Sequence, residues 1–389
     1  MTQMIVAPRQ MLVGGGSLSR IATLLAQFGF SRPLIVTDPW MVSSNTVERL
    51  LAPLREAGLS VEVFSDTVPD PTDTVIEAGV RRLQAGSFDV LLGFGGGSPM
   101  DTAKAIAILA AAPPGTKMRA FKAPVAADHA ALPVMCIPTT AGTGSEATRF
   151  TVITDVENDE KMLIAGLGAL PLAAIVDHEL TFSVPRRTTA DTGIDSLTHA
   201  LEAFVSRRAN PISDMYAREA MRLIGPNLRR VYAKPDDATA REAMMLGATL
   251  AGLAFSNASV ALVHGMSRPI GAHFHVPHGL SNAMLLPAVT AFGLNEALSR
   301  YAEAARCIGV ATTSDADQVA GSKLLEELRA LNSELEVPSP AAWGIAEEKW
   351  NNLVPTMAEQ ALASGSPANN PRVPQAAEIV ELYGLAFRG

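Results

Sequence analysis

A chain of 389 residues, 48% hydrophobic and 18% charged, can bury a sizeable core in two or three domains and is neither disordered nor fibrous. Its net charge of −8 argues against nucleic acid or an anionic membrane as the principal partner, because both favour a basic face. Two distant cysteines, Cys136 and Cys307, no run of about 18 apolar residues, and an opening without a basic stretch followed by an apolar one lead us to expect a cytoplasmic globular protein with neither disulfide framework nor membrane span.

Short apolar runs at 33–38, 59–64 and 89–94 read as buried strands, with amphipathic helical segments near 45–57 and 73–86 between them. Runs at 133–138 and 173–177 extend the series. Strands alternating with helices predict a parallel sheet in a Rossmann-like arrangement. After Pro185 the pattern becomes helical, over about 188–262, 283–310 and 316–332, with a polar loop at 363–371 and a last helix near 374–387. We therefore expect an α/β domain over residues 1–184 and an all-helical domain over 185–389.

The third strand runs into Gly93-Phe-Gly-Gly-Gly-Ser-Pro-Met-Asp-Thr-Ala-Lys104. Ser98 reads as a helix N-cap, Pro99 suits the first helical position, and Asp101 follows three residues after the cap. Bare backbone N–H groups at a helix start favour an anion, and a pyrophosphate is the natural occupant; a ligand-free tight turn has the same spelling. Pro138-Thr-Thr-Ala-Gly-Thr-Gly-Ser-Glu146 clusters hydroxyls and glycines after a strand, as a phosphate or ribose contact or as a surface turn. Asp38, ending the first of these strands, is placed to accept from ribose hydroxyls or to cap a helix.

In Gly193-Ile-Asp-Ser-Leu-Thr-His-Ala-Leu-Glu202, a helix puts Asp195 and His199 on one face, where they can grip one ion together. Four of the seven histidines, His264, His273, His275 and His278, follow within fifteen residues and offer the remaining ligands. One carboxylate with neutral imidazoles suits Fe(II) or Zn(II), and the absence of nearby cysteine speaks against a structural zinc site.

Taken together and in this order, these segments resemble the iron-containing (group III) alcohol dehydrogenases, as do Val36-Thr-Asp38, Pro69-Asp-Pro-Thr72 and Asn370-Pro-Arg372. The resemblance implies the dehydroquinate synthase-like, iron alcohol dehydrogenase fold: a Rossmann-like dinucleotide-binding domain and an all-α metal-binding domain. It implies Asp195, His199, His264 and His278 as ligands of Fe2+ or Zn2+. It places NAD against Asp38, Gly95, Gly96, Gly97, Ser98, Asp101, Thr139, Thr140, Thr143, Ser145 and Lys161, the acidic Asp38 repelling the 2′-phosphate of NADP. The implied activity is NAD-dependent interconversion of a short-chain primary alcohol and its aldehyde, in a homodimer or larger homo-oligomer. Maleylacetate reductase-like, glycerol dehydrogenase-like and non-catalytic dinucleotide-binding relatives are the alternatives.

One position departs from the pattern. Many members carry a second histidine four residues after the first, with a part in proton transfer; here it is Arg268. Arginine is a poor base at neutral pH. Two expectations follow: proton exit through His273, His275, ribose hydroxyls or water, and a role for Arg268 in binding an anionic group on the substrate. The plain alternative is an Arg268 turned aside onto a structural carboxylate.

Overall fold

The computed structural model describes residues 3–389, and the chain divides into two compact units. One is Val6–Val184; the other is Pro185–Gly389 together with the N-terminal residues through Ile5.

The first unit holds strands β1 (Gln10–Val13), β2 (Pro33–Val36), β3 (Glu62–Phe64), β4 (Val90–Gly95), β5 (Val134–Pro138), β6 (Phe150–Asp155), β7 (Glu160–Ala165) and β8 (Ala173–Val176). Its helices are α1 (Ile21–Phe28), α2 (Pro39–Ser43), α3 (Glu48–Glu56), α4 (Asp73–Ala85) and α5 (Gly97–Ala110). Six strands form an all-parallel sheet in the order β1-β8-β5-β4-β2-β3. Side chains alternate across it: Leu34, Val36, Leu91 and Cys136 pack with Ile106 of α5, while Ile35, Leu92, Met135 and Ile137 pack with Leu25 of α1 and Leu50 of α3. Burial on both faces explains why these strands read as continuous apolar runs. The chain leaves β2 toward β3 and leaves β4 toward β5, so neighbouring strands send their connections in opposite directions. Such a reversal opens a ligand crevice at the carboxyl ends of the strands.

Two parts of this unit escape the reading from periodicity. Edge strand β1 has only four residues, none fully buried, too short for a pattern. β6 and β7 form a separate antiparallel hairpin, although β6 alternates half-buried and buried positions as a strand should.

The second unit is helical throughout: α6 (Arg186–Val205), α7 (Pro211–Ala233), α8 (Ala238–Ala258), α9 (Leu262–Phe274), α10 (His278–Gly293), α11 (Leu298–Ile308), α12 (Asp317–Glu334), α13 (Pro340–Trp343), α14 (Glu347–Ala363) and α15 (Ala376–Arg388). The stretch expected over 188–262 is broken twice, at Asn210 and Asp237, whose side chains cap α7 and α8. α14 has no counterpart in the sequence reading; it lacks a side-chain cap and carries Pro355 within it. No single helix among the described residues is long and apolar enough to cross a membrane.

Candidate active site

In the first unit, the segments expected to meet a dinucleotide gather at the carboxyl ends of β2, β4 and β5. The helix after β4 starts two residues earlier than expected: its N-cap is Gly96, without a side-chain cap, and Gly97 and Ser98 open the first turn. That corrects the reading of Ser98 as N-cap and leaves backbone N–H groups at this helix start without an intrahelical partner. The glycines are there for proximity. A Cβ on Gly97 would lie 2.8 Å from Thr143 Cγ2, and one on Gly96 3.6 Å from Thr140 Oγ1, so the two loops face each other across bare backbone. Gly95, at φ +147°, turns the chain, and its carbonyl accepts from the Thr139 amide. Thr139 Oγ1 is buried with no hydrogen-bond partner among the described residues, as fits a hydroxyl kept for a ligand. Asp38 caps α2, accepting from the Met41 amide. Lys161 pairs with Asp70 at 2.8 Å.

Asp101 and Ser145 are engaged within the protein. Asp101 accepts from Ser145 Oγ at 2.7 Å and from the Val152 amide at 2.8 Å. Sequence reasoning assigned no part to Lys104. Fully buried, it donates to the carbonyls of Ser145 (2.5 Å), Thr148 (3.1 Å) and Phe150 (3.0 Å). Burial lowers its pKa, while Cys136, Asp101 and Glu146 pull the other way. This ammonium ties α5 to the threonine-rich loop, and its signal was one lysine beside the apolar run that ends α5.

In the second unit four side chains from three helices converge. Asp195 and His199 stand one turn apart on α6, His264 lies in the first turn of α9, and His278 opens α10 after Pro277. Gly279 makes this convergence possible: a Cβ there would lie 2.4 Å from the Asp191 carbonyl oxygen, so only glycine lets α10 start against α6. Asp195, His199 and His264 are 2–4% exposed, whereas His278 is exposed. Asp195 Oδ1 lies 3.5 Å from His264 Nε2 and 3.8 Å from Nε2 of both His199 and His278. One ligand atom from each residue lies within 4.8 Å of all the others. Bonds of about 2.0–2.2 Å to a tetrahedral ion separate neighbouring ligand atoms by roughly 3.3–3.6 Å, so the set fits a divalent ion with a small inward adjustment. Burial alone would raise the Asp195 pKa, but the three histidines hold it well below the usual carboxylate range.

Three further residues support the cluster. The His199 ring lies between those of Phe255 and His264, with centroids 4.3 and 4.4 Å away. The Asn282 amide donates to Asp195 Oδ1 at 2.7 Å and lies 3.1 and 3.3 Å from Nε2 of His264 and His278. Glu202 meets His264 Nδ1 at 2.5 Å. The sequence carried a signal for two of them: Glu202 continues the Asp195, His199 face at helical spacing, and Asn282 stands four residues after His278.

The remaining candidates divide. Arg268 is one turn beyond His264 on α9, part-buried; its guanidinium donates to Ser366 Oγ at 3.2 Å and forms no ion pair among the described residues. Burial lowers its pKa, with Glu202 pulling weakly upward. The expectation that it turns onto a structural carboxylate is therefore not met. His273 Nε2 bonds Gln360 at 2.9 Å, and His275 is exposed at the end of α9, so neither joins the ligand cluster.

Comparison with known proteins bears on both units. Residues 8–178 match the iron-containing alcohol dehydrogenase family, and residues 189–387 match the C-terminal part of the Fe-containing alcohol dehydrogenase family. The chain is 35% identical to the NAD-dependent methanol dehydrogenase of Bacillus methanolicus, with all of both chains covered. A crystal structure of 1,3-propanediol oxidoreductase superposes with a TM-score of 0.94 at 33% identity, covering all of both chains. The sulfoacetaldehyde reductase of Bifidobacterium kashiwanohense, solved with NAD+, superposes with a TM-score of 0.87 at 27% identity over 99% of each chain. With family matches in both units and full-length relatives above 30% identity, the chain belongs to the iron-containing alcohol dehydrogenases.

Proposed function

We propose that this protein is a metal-dependent, NAD(H)-linked oxidoreductase that interconverts a short primary alcohol bearing an anionic group with the corresponding aldehyde. The observation that carries the reading is the convergence of Asp195, His199, His264 and His278 on one point. Fe2+ or Zn2+ held there supplies Lewis acidity toward the alcohol or carbonyl oxygen. The protein's part is to fix the ligand atoms from three helices and to keep Asp195, His199 and His264 buried away from water, leaving the exposed His278 side open. In the first unit, Gly96, Gly97 and Ser98 receive the pyrophosphate on backbone N–H groups. Gly95, Thr139, Thr140 and Thr143 line the same turn, and Lys161 adds positive charge. Asp38 supports NAD over NADP by repelling a 2′-phosphate. NAD(H) bound there would supply the hydride acceptor or donor for the alcohol carbon.

The anionic substrate rests on Arg268. A guanidinium that burial desolvates, that no carboxylate among the described residues pairs, and that starts one helical turn from a metal ligand suits a carboxylate or sulfonate at the far end of a short aldehyde. The test is NADH oxidation by protein reconstituted anaerobically with Fe(II) or Zn(II), with propanal against sulfoacetaldehyde and lactaldehyde against succinic semialdehyde. The anionic member of each pair is expected to be preferred, and Arg268→Ala to lose about 10- to 100-fold in kcat/KM on it, the worth of a hydrogen bond to a charged group. Equal losses on neutral and anionic aldehydes would remove Arg268 as a receptor. Full turnover after chelation and dialysis would replace the metal-dependent reading with metal-free reduction.

A further inference from the structure

We infer that Glu202 is a positioning residue of the metal centre, which presents the Nε2 lone pair of His264 and at the same time caps the helix that carries it. The inference rests on the proposed metal site, and its observations are separate from the ligands themselves. Glu202 is 3% exposed, and both of its carboxylate oxygens are engaged. Oε1 accepts from the Val263 backbone amide at 2.6 Å; Oε2 lies 2.5 Å from His264 Nδ1.

The first bond repairs a defect in the sequence. Helix α9 begins after Ala261, which has no side chain able to cap it, and its first-turn N–H groups need acceptors. Glu202, two turns along α6 from Asp195, supplies one from outside the helix, where a negative charge is also favoured by the helix dipole. The second bond decides which imidazole nitrogen carries hydrogen. A carboxylate oxygen can only accept, so Nδ1 must hold the proton, and the Nε2 lone pair is left facing Asp195 Oδ1, 3.5 Å away. A carboxylate behind a ligating histidine fixes its tautomer and raises its basicity. One buried side chain thus sets both the position of α9 and the chemical state of the ligand on it.

Glu202→Gln separates these tasks. The amide oxygen can still accept from Val263, but the NH2 now faces Nδ1 and favours the tautomer whose Nε2 carries the hydrogen. Zinc dissociation constants of metal-stripped wild type and variant are measured by chelator competition, with melting temperature and NADH affinity followed in parallel. The expected result is affinity weakened about 10- to 100-fold, the usual effect of removing such a partner. NADH affinity should be unchanged and the melting temperature should move by only a few degrees. Zinc affinity within about threefold of wild type would overturn the inference and leave Glu202 a helix cap. Should the variant not fold, nitrogen chemical shifts of the wild-type histidines decide: a His264 protonated at Nδ1 supports the assignment, and a neutral ring protonated at Nε2 overturns it. Wild-type protein that takes up neither zinc nor, under anaerobic conditions, Fe(II) overturns the metal reading itself, and with it this inference.

Discussion

The two units build their sites from different materials. In Val6–Val184 the proposed cofactor cradle is mostly backbone, made of glycines, a helix start and a few hydroxyls at the ends of strands. In Pro185–Gly389 the proposed metal site is wholly side chain: one carboxylate and three imidazoles, backed by Glu202, Asn282 and Phe255. A backbone site is sensitive to added volume, because the groups that do the binding cannot be mutated away but can be obstructed. A side-chain site is sensitive to deletion, because each ligand is one residue with no substitute.

The largest effect should come from deletion in the second unit. His199→Ala is expected to lose bound metal and at least about a thousandfold in turnover, the rate equivalent of a Lewis-acid contribution of several kcal/mol. NADH binding should persist, since the cradle belongs to the other unit. Metal analysis with NADH fluorescence titration checks both halves, and full activity in the variant would remove the site assignment. Next is added volume in the first unit. Gly97→Ala would set a Cβ 2.8 Å from Thr143 Cγ2. We expect NADH affinity to fall about tenfold or more, from an overpacking penalty of roughly 1–3 kcal/mol, with metal content unchanged. Unaltered NADH affinity would mean that the cofactor is held elsewhere.

The smallest effect uses the one cysteine in each unit. Burial pushes the Cys136 thiol up to about 12 and raises Cys307 as well, although Arg222 and Arg218 beside Cys307 pull it back down. Both thiols should therefore stay protonated and resist alkylation at pH 8, with Cys307, which is 7% exposed against 0% for Cys136, the faster of the two. Mass spectrometry after timed alkylation reports which unit opens first; faster labelling of Cys136 would reverse the order.

Much of this arrangement was legible in the chain. Apolar runs marked five strands of the sheet, and the four that lie buried along their length are apolar because a parallel sheet covered on both faces needs apolar residues there. The Asp195, His199 pair followed from helical spacing alone, and the glycine-rich turn from the rule that close backbone approach excludes a Cβ. Resemblance to a family, rather than spacing, chose His264 and His278 among the four clustered histidines.

What the sequence determined by itself was local: periodicity, turn chemistry and residues that share one helix face. Tertiary structure decided everything that depends on distance between elements. Two cases show why. Gly279 reads as an ordinary glycine until the fold sets the start of α10 so close to α6 that a Cβ there would lie 2.4 Å from the Asp191 carbonyl oxygen. Glu202 reads as one more charge on a helix until the fold buries it against the uncapped start of α9 and the back of His264. Likewise Arg268 is a departure from a pattern in the sequence, and only burial without a carboxylate partner makes it a candidate receptor. Spacing along a chain fixes neighbours on one element. Packing decides which elements meet, and with that which charges lose their water and which nitrogen of a histidine stays free to bind.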